Sequence, residues 1–373
     1  NLGTGTLDVT GDVVLGANVT VTTTKSSGNG IIFRDAVNAD NAGSNDRTLT
    51  LNSGTGSAVF VGGNVGASQA LAGLTVTQSN GVSFSGSVNV SDSNSGTITL
   101  TDTQNNQNIV FNGDVTADSF VTAAQGYDIF FNSDATFANA VTFQNTGTLN
   151  LGNTTSDTLT FNGGVTENTG GTVTIAGPIV SSNDAISFGN INVGTNLLSV
   201  TSAGGAISIG TISAASGSRD ISITSSGGSA NTVAVGAIGG NTNINTIAIT
   251  GSTSVTLNGN ITTDNSSGNS LTVTGSTINT GAITIDTDNN SNDGAINLVG
   301  SVASSNNNLV LNSGTAEITL SGATFNLGSG SLTTTGDINL ANNVGITATG
   351  GMTINDKIDA DDASSNDRTL TLN

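Results

Sequence analysis

The residues of this 373-residue chain that are able to do chemistry are mainly carboxylates. It has 26 Asp and Glu against six Lys and Arg, a formal net charge of −20, and neither His nor Cys. Without His and Cys, the commonest general base, the Ser–His nucleophile pair and the usual zinc ligands are absent. What remains is carboxylate chemistry, which means binding of hard cations or acid–base catalysis by paired Asp.

Calcium is the cation that the acidic segments favour. The run from residue 286 to 294 alternates Asp with Thr and Asn, which are oxygen ligands, but it lacks the Gly at loop position six and the closing Glu of an EF-hand. Two acidic loops, around residues 35–46 and 356–367, are the other candidates. The candidate calcium ligands are Asp40, Asp46, Asp286, Asp288, Asp359, Asp361, Asp362 and Asp367. The alternative is that these side chains solvate loops and form Asx-turns. No other cofactor is predicted, and none is required.

Catalysis has one candidate pair. Asp361 and Asp362 are adjacent, and the nearest basic residues in sequence are Lys357 and Arg368. Polysaccharide-processing β-helix enzymes use clustered Asp with a base, so this activity is an alternative. The scarcity of acid–base groups predicts that the protein is not an enzyme. For Arg47 we expect a structural role, pairing with a carboxylate one coil away, with contact to a neighbouring module as the alternative.

The elements that must position these residues are predicted to be short β-strands. Apolar residues alternate with Thr or Ser in runs such as 49–51, 82–84, 97–100 and 221–223, which is the period of a strand with one buried face. Gly, Asn or Asp ends each run, as turns require. No stretch has helical periodicity, and no run of apolar residues is long enough for a membrane-spanning helix.

Repetition of these strand–corner units predicts a solenoid, an all-β parallel β-helix with coils of about 20–30 residues and without capping helices. The spacing of Phe residues agrees, with Phe84, Phe111, Phe131, Phe161 and Phe188 following one another at 20 to 30 residues. Eleven of the twelve Phe lie at or before residue 188, which predicts a Phe-rich core in 1–188 and an Ile/Val/Leu core in 205–373. A domain switch near 189–205 is the alternative.

A longer repeat is superimposed on the coils. Residues 30–52 and 351–373 agree at 14 of 23 positions without a gap, and the octet Asn45–Asn52 returns identically as Asn366–Asn373. Upstream, residues 5–19 match 330–344 at a spacing larger by four residues, and the difference falls near Lys25–Asn29. We therefore predict that residues 1–373 form one continuous solenoid within a longer array of about 321-residue spacing.

Several segments resemble a known group of proteins. The succession of strands and glycine corners from 49 to 88, echoed in Leu309–Thr315, is similar to the β-strand repeats of giant bacterial exoproteins related to filamentous-haemagglutinin-like adhesins. The resemblance implies a right-handed parallel β-helix, secretion, and no catalytic residues.

The expected function is a structural rod of a secreted bacterial surface adhesin or an extracellular fibre such as a biofilm matrix. Its expected partners are copies of itself or neighbouring repeat modules stacked end to end, at the cell surface or in the extracellular matrix. A glycan- or calcium-binding adhesin module is the alternative. The acidic surface lacks the electrostatic footprint for nucleic acid, and no membrane insertion is expected.

Overall fold

The computed structural model describes every residue except 41–46, 92–94, 169, 172, 215–216, 229–230, 241–243, 264–268, 290–292 and 362–367. The described residues form β-strands without an α-helix, and the chain is a parallel β-solenoid with stacked coils, as predicted. Contacts divide it into two compact units, unit 1 (Asn1–Asp184) and unit 2 (Ala185–Asn373).

The strands of unit 1 are β1 (Leu7–Val9), β2 (Val13–Leu15), β3 (Val19–Thr22), β4 (Asn29–Phe33), β5 (Val37–Ala39), β6 (Thr48–Asn52), β7 (Ala58–Val61), β8 (Gly73–Ser79), β9 (Val82–Phe84), β10 (Val88–Val90), β11 (Thr97–Thr103), β12 (Asn108–Phe111), β13 (Val115–Ala117), β14 (Ser119–Thr122), β15 (Asp128–Phe131), β16 (Ala135–Phe137), β17 (Val141–Phe143), β18 (Leu149–Leu151), β19 (Leu159–Phe161), β20 (Val165–Glu167), β21 (Val173–Ile175) and β22 (Ile179–Ser181).

The strands of unit 2 are β23 (Ile186–Phe188), β24 (Ile191–Val193), β25 (Leu197–Ser202), β26 (Ile207–Ile209), β27 (Ile212–Ala214), β28 (Arg219–Ser225), β29 (Thr232–Val235), β30 (Ile244–Leu257), β31 (Ile261–Thr262), β32 (Asn269–Thr280), β33 (Ile283–Asp286), β34 (Ala295–Ala303), β35 (Leu309–Asn312), β36 (Ile318–Leu320), β37 (Thr324–Gly328), β38 (Leu332–Thr335), β39 (Ile338–Leu340), β40 (Val344–Ala348), β41 (Met352–Ile354), β42 (Ile358–Ala360) and β43 (Leu370–Leu372).

Each coil of unit 1 contributes strands to three faces. Face 1 is the parallel series β1, β4, β7, β9, β12, β15, β18 and β21. Face 2 runs from β2 and β5 through a bridge at Val65 to β10, β13, β16, β19 and β22. Face 3 is β3, β6, β8, β11, β14, β17 and β20. Paired residues on successive strands of face 1 are 20 to 29 residues apart. The smallest step is from Ile109 to Ile129, and the largest is from Asn29 to Ala58.

Unit 2 also stacks its strands in three parallel series. In its middle coils β30, β32 and β34 are long strands, each of which passes through one corner and pairs on both sides of it. Glycines occupy this corner because the chains approach closely there. A Cβ added to Gly300 would lie 1.8 Å from the carbonyl oxygen of Gly275, and Gly300 has a φ of +146°.

The core of each unit consists of the inward positions of these strands, which alternate with outward positions along most strands. In unit 1, the Phe84, Phe111 and Phe131 rings stack in register with centroids 5.1 and 5.2 Å apart. Phe161, however, pairs with Phe137 on face 2, whereas Phe131 on face 1 pairs with Leu151. The predicted coil step from Phe131 to Phe161 is therefore wrong, because the two residues lie on different faces.

Buried hydroxyl groups line several corners. Ser79 Oγ and Thr103 Oγ1, at the ends of adjacent strands β8 and β11, lie 2.8 Å apart and are both buried. Ser53 and Ser57 are also buried, and each hydroxyl donates to the other residue's carbonyl oxygen, at 2.6 and 2.7 Å. These bonds satisfy polar groups that the corners would otherwise leave buried without partners.

Threonines form an outward column on face 3. Thr20, Thr50, Thr75 and Thr99 are in direct register on β3, β6, β8 and β11, and the column continues through Val121 to Thr142. All of these side chains are β-branched, which suits a pleated and half-exposed surface, and neighbouring pairs stabilise the sheet.

Candidate functional site

The most distinctive polar arrangement is an ion pair that occurs twice, which we call the clasp. In the first clasp, Arg47 Nε and an Nη atom donate to the two carboxylate oxygens of Asp40 at 2.7 and 2.8 Å. In the second, Arg368 donates to Asp361 in the same way at 2.7 and 2.5 Å. The partners are seven residues apart in both. The arrangement is the bidentate fork that guanidinium and carboxylate groups favour.

Strand pairing positions the first clasp. Asp40 follows β5 and its N–H donates to the Leu15 carbonyl oxygen at 3.0 Å, whereas Arg47 precedes β6 and its carbonyl oxygen accepts from Ala72 N–H at 2.9 Å. The N–H of Thr48 donates to Asn18 Oδ1 at 3.0 Å. The clasp thus joins the end of one strand to the start of the next within a single coil. We expected Arg47 to pair with a carboxylate one coil away, whereas Asp40 belongs to the same coil as Arg47.

The second clasp has the same surroundings. Asp361 N–H donates to the Leu340 carbonyl oxygen at 3.1 Å, and Thr369 N–H donates to Asn343 Oδ1 at 2.9 Å. Leu340 and Asn343 are the residues that the sequence repeat aligns with Leu15 and Asn18. A third pair of contacts agrees, since Gly11 N–H donates to Asp35 at 2.7 Å and Gly336 N–H donates to Asp356 at 2.9 Å.

The clasp stabilises the charged form of its carboxylates. Hydrogen bonds from Arg47 lower the pKa of Asp40, and those from Arg368 lower the pKa of Asp361, in each case against a smaller opposing effect of burial. The side chains of Arg47 and Arg368 are only 17% and 16% exposed, so the pairs are partly shielded from solvent. Both oxygens of each carboxylate already accept from an arginine, which sets these two Asp apart from free cation ligands.

Asp359, in the second acidic loop, has a different basic partner. Lys357 Nζ lies 3.1 Å from Asp359 and 3.2 Å from Asp337 in the preceding coil. Of the two basic residues nearest to Asp361 in sequence, Arg368 therefore pairs with Asp361, whereas Lys357 pairs with other carboxylates. Asp46, Asp362 and Asp367 lie outside the described residues.

Asp286 and Asp288 belong to an acidic cluster in unit 2, together with Asp293. Asp286 Oδ1 accepts from Asn312 Nδ2 and from the N–H of Asp288, both at 3.1 Å. Asp288 and Asp293 share a hydrogen bond, and this bond, followed by burial and the charge of Asp293, raises the pKa of Asp288. A hydrogen bond from the Thr315 hydroxyl is the main cause that lowers the pKa of Asp293. The cluster thus favours one proton held between two carboxylates.

Sequence reasoning named Asp286 and Asp288 but omitted Asp293, Asn312 and Thr315 from the candidate ligands. Asp293 could have been found, since it closes the same polar run before Gly294. Asn312 and Thr315 come from the next coil, so only the register between β33 and β35 brings them near. Over the described part of the chain, no group of three or more acidic residues has an arrangement that could hold a metal ion. Calcium binding stays a prediction.

In the described residues, no helix is long and apolar enough to cross a membrane. Comparison of the chain with protein-family models, with curated proteins and with solved structures finds no match in any of the three.

Proposed function

We propose that the chain is a structural module of a secreted bacterial surface adhesin or extracellular fibre, in which copies of the module stack end to end. The observation that carries the proposal is the repetition of contacts as well as of sequence. The clasp and the hydrogen bonds of Asp40 N–H and Thr48 N–H recur around Asp361 and Thr369 with distances that differ by at most 0.3 Å.

The mechanism is mechanical. Parallel strands hydrogen-bond each coil of a unit to the next, and apolar side chains stacked in register form an uninterrupted core. In such architectures stability is close to a sum over neighbouring coils, so extension by further copies retains the stability per coil. The low content of acid–base groups also favours a structural role over catalysis.

Electron microscopy of chains with increasing numbers of the 321-residue repeat tests the proposal. We expect straight rods whose length increases in proportion to the number of copies. The present chain serves as the single-copy control. Rounded particles, or rods whose length stays constant as copies are added, would count against a fibre-forming module.

A further inference from the structure

A cavity of about 310 Å³ lies on face 1 of unit 1, next to half-buried apolar side chains. Phe60, Ser83 and Val110 occupy the same outward register position on the adjacent strands β7, β9 and β12. Because Ser83 is much shorter than its two neighbours, it leaves a notch between the Phe60 ring and Val110. The volume is at the lower end of the range for small-molecule sites.

The floor and rim of the cavity come from the residues that begin these strands. Ala58 and Gly81 are small, and a Cβ placed on Gly81 would meet nothing closer than the Asn108 carbonyl oxygen at 3.6 Å. Amide side chains lie on either side of them, with Asn29 at the start of β4 and Gln107 and Asn108 at the start of β12. Three strand spacings, about 14 Å, separate these two sides, which is enough for a disaccharide.

The polar groups of the rim are available to a ligand. The side chains of Asn29, Asn106, Gln107 and Asn108 make no hydrogen bond to any other residue in the described part of the chain, and neither does the Ser83 hydroxyl. Each amide offers both a donor and an acceptor. Asn106 also has a left-handed backbone, with a φ of 59°, and its N–H is fixed to the Gly126 carbonyl oxygen at 2.8 Å. The rim is thus held by the next coil while its side chains remain unengaged.

We propose that this cavity binds a neutral glycan. Sugar hydroxyls match donor–acceptor amides, and the apolar C–H face of a pyranose matches an aromatic ring such as Phe60. No charged side chain lines the cavity, and the net charge of −20 repels acidic glycans. The site does not depend on the structural role proposed above, since it lies wholly within coils of unit 1.

Binding to an array of immobilised neutral and sialylated glycans tests the site, followed by titration of the best neutral oligosaccharide by calorimetry. We expect wild-type protein to bind neutral glycans. Phe60→Ala should weaken the affinity at least tenfold, and Ser83→Phe, which fills the notch, should abolish binding. Phe130→Ala is the matched control, since Phe130 is half-buried in the same outward column but lies outside the cavity. It should bind like wild type.

Circular dichroism and thermal unfolding establish that the variants are folded. If Phe60→Ala fails to fold, Ser83→Phe and Asn108→Ala carry the test, because both residues are at the surface. The proposal is overturned if no neutral glycan binds, if only sialylated glycans bind, or if Ser83→Phe and Phe130→Ala bind equally well.

Discussion

Raising the pH should ionise Tyr127 far later than an ordinary tyrosine. Tyr127 lies between β14 and β15 and is fully buried, and its hydroxyl accepts from Ala123 N–H at 2.9 Å and donates to the Leu100 carbonyl oxygen at 3.0 Å. Burial, as the main cause, raises the pKa of Tyr127 from 10.0 to about 12. The folded protein therefore strongly prefers the neutral phenol.

The size of the effect follows from linkage. A pKa that is higher in the folded than in the unfolded state contributes stability below the unfolded value, and this stability is lost as pH rises through the folded value. Between pH 10 and 12 the free energy of unfolding should therefore fall by roughly 2 kcal/mol, out of roughly 3 kcal/mol over the whole titration. This is a substantial part of the stability of a typical domain, so alkaline unfolding should begin in this interval.

The measurement is unusually direct because the chain has one Tyr and no Trp. Near-ultraviolet absorbance after a rapid jump in pH reports the tyrosinate of Tyr127 alone. We expect immediate ionisation with a midpoint near 12, or a slower appearance at the rate of unfolding where unfolding comes first. Immediate ionisation with a midpoint near 10, in protein whose circular dichroism is still native, would refute the reasoning.

Four substitutions test other parts of the fold. Tyr127→Phe should lower the free energy of unfolding, measured by denaturant titration, by only about 1 kcal/mol. The loss is small because Ala123 N–H still donates to the Leu100 carbonyl oxygen at 3.1 Å. Phe111→Ala removes a buried ring stacked between two others and should cost about 3–5 kcal/mol in the same titration, more than the half-buried Phe130→Ala control. Arg47→Gln should lower the Tm at pH 7. Because Arg47 lowers the pKa of Asp40, the difference from wild type should shrink as pH falls below the ordinary value of 3.8 and vanish once pH has fallen through the lowered pKa. Arg34→Gln, which breaks the more exposed pair with Asp8, is its control and should change the Tm less. Asp288→Asn should raise the Tm at pH 7, because the raised pKa of Asp288 means that its stabilising contribution is present at low pH and lost as pH rises. An unchanged or lower Tm at pH 7 would contradict a shared proton between Asp288 and Asp293.

Local strand pattern was predictable from sequence. Alternation of apolar and polar residues identifies runs such as Val82–Phe84 and Leu49–Leu51, whose apolar side chains are buried. The range of coil lengths could also be predicted from the sequence, because Gly, Asn and Asp mark the corners.

Register between coils was not predictable, because corners vary in length while strands keep their pairing. Phe161 follows Phe131 by a plausible coil length yet lies on another face. The same limitation hides the contact of Thr315 with Asp293, since a residue's neighbour in the next coil depends on every corner between them. The pairing of Arg47 with Asp40 was missed for a different reason, since two residues seven apart in the same coil leave no signal at the coil period.

Corner length and clasp geometry together explain how the long repeat tolerates a change of spacing. Between β3 and β4 the corner spans residues 23–28, whereas between β40 and β41 it spans 349–351. The two copies therefore differ in length in a surface turn, where added residues cost little. Downstream, the clasp and the bonds to Leu15 and Asn18 recur at Leu340 and Asn343, so strand pairing restores the same register after the longer turn. The identical octet is then best understood as the segment that fixes this register, since it carries the arginine of the ion pair and the Leu residues of the strand that follows.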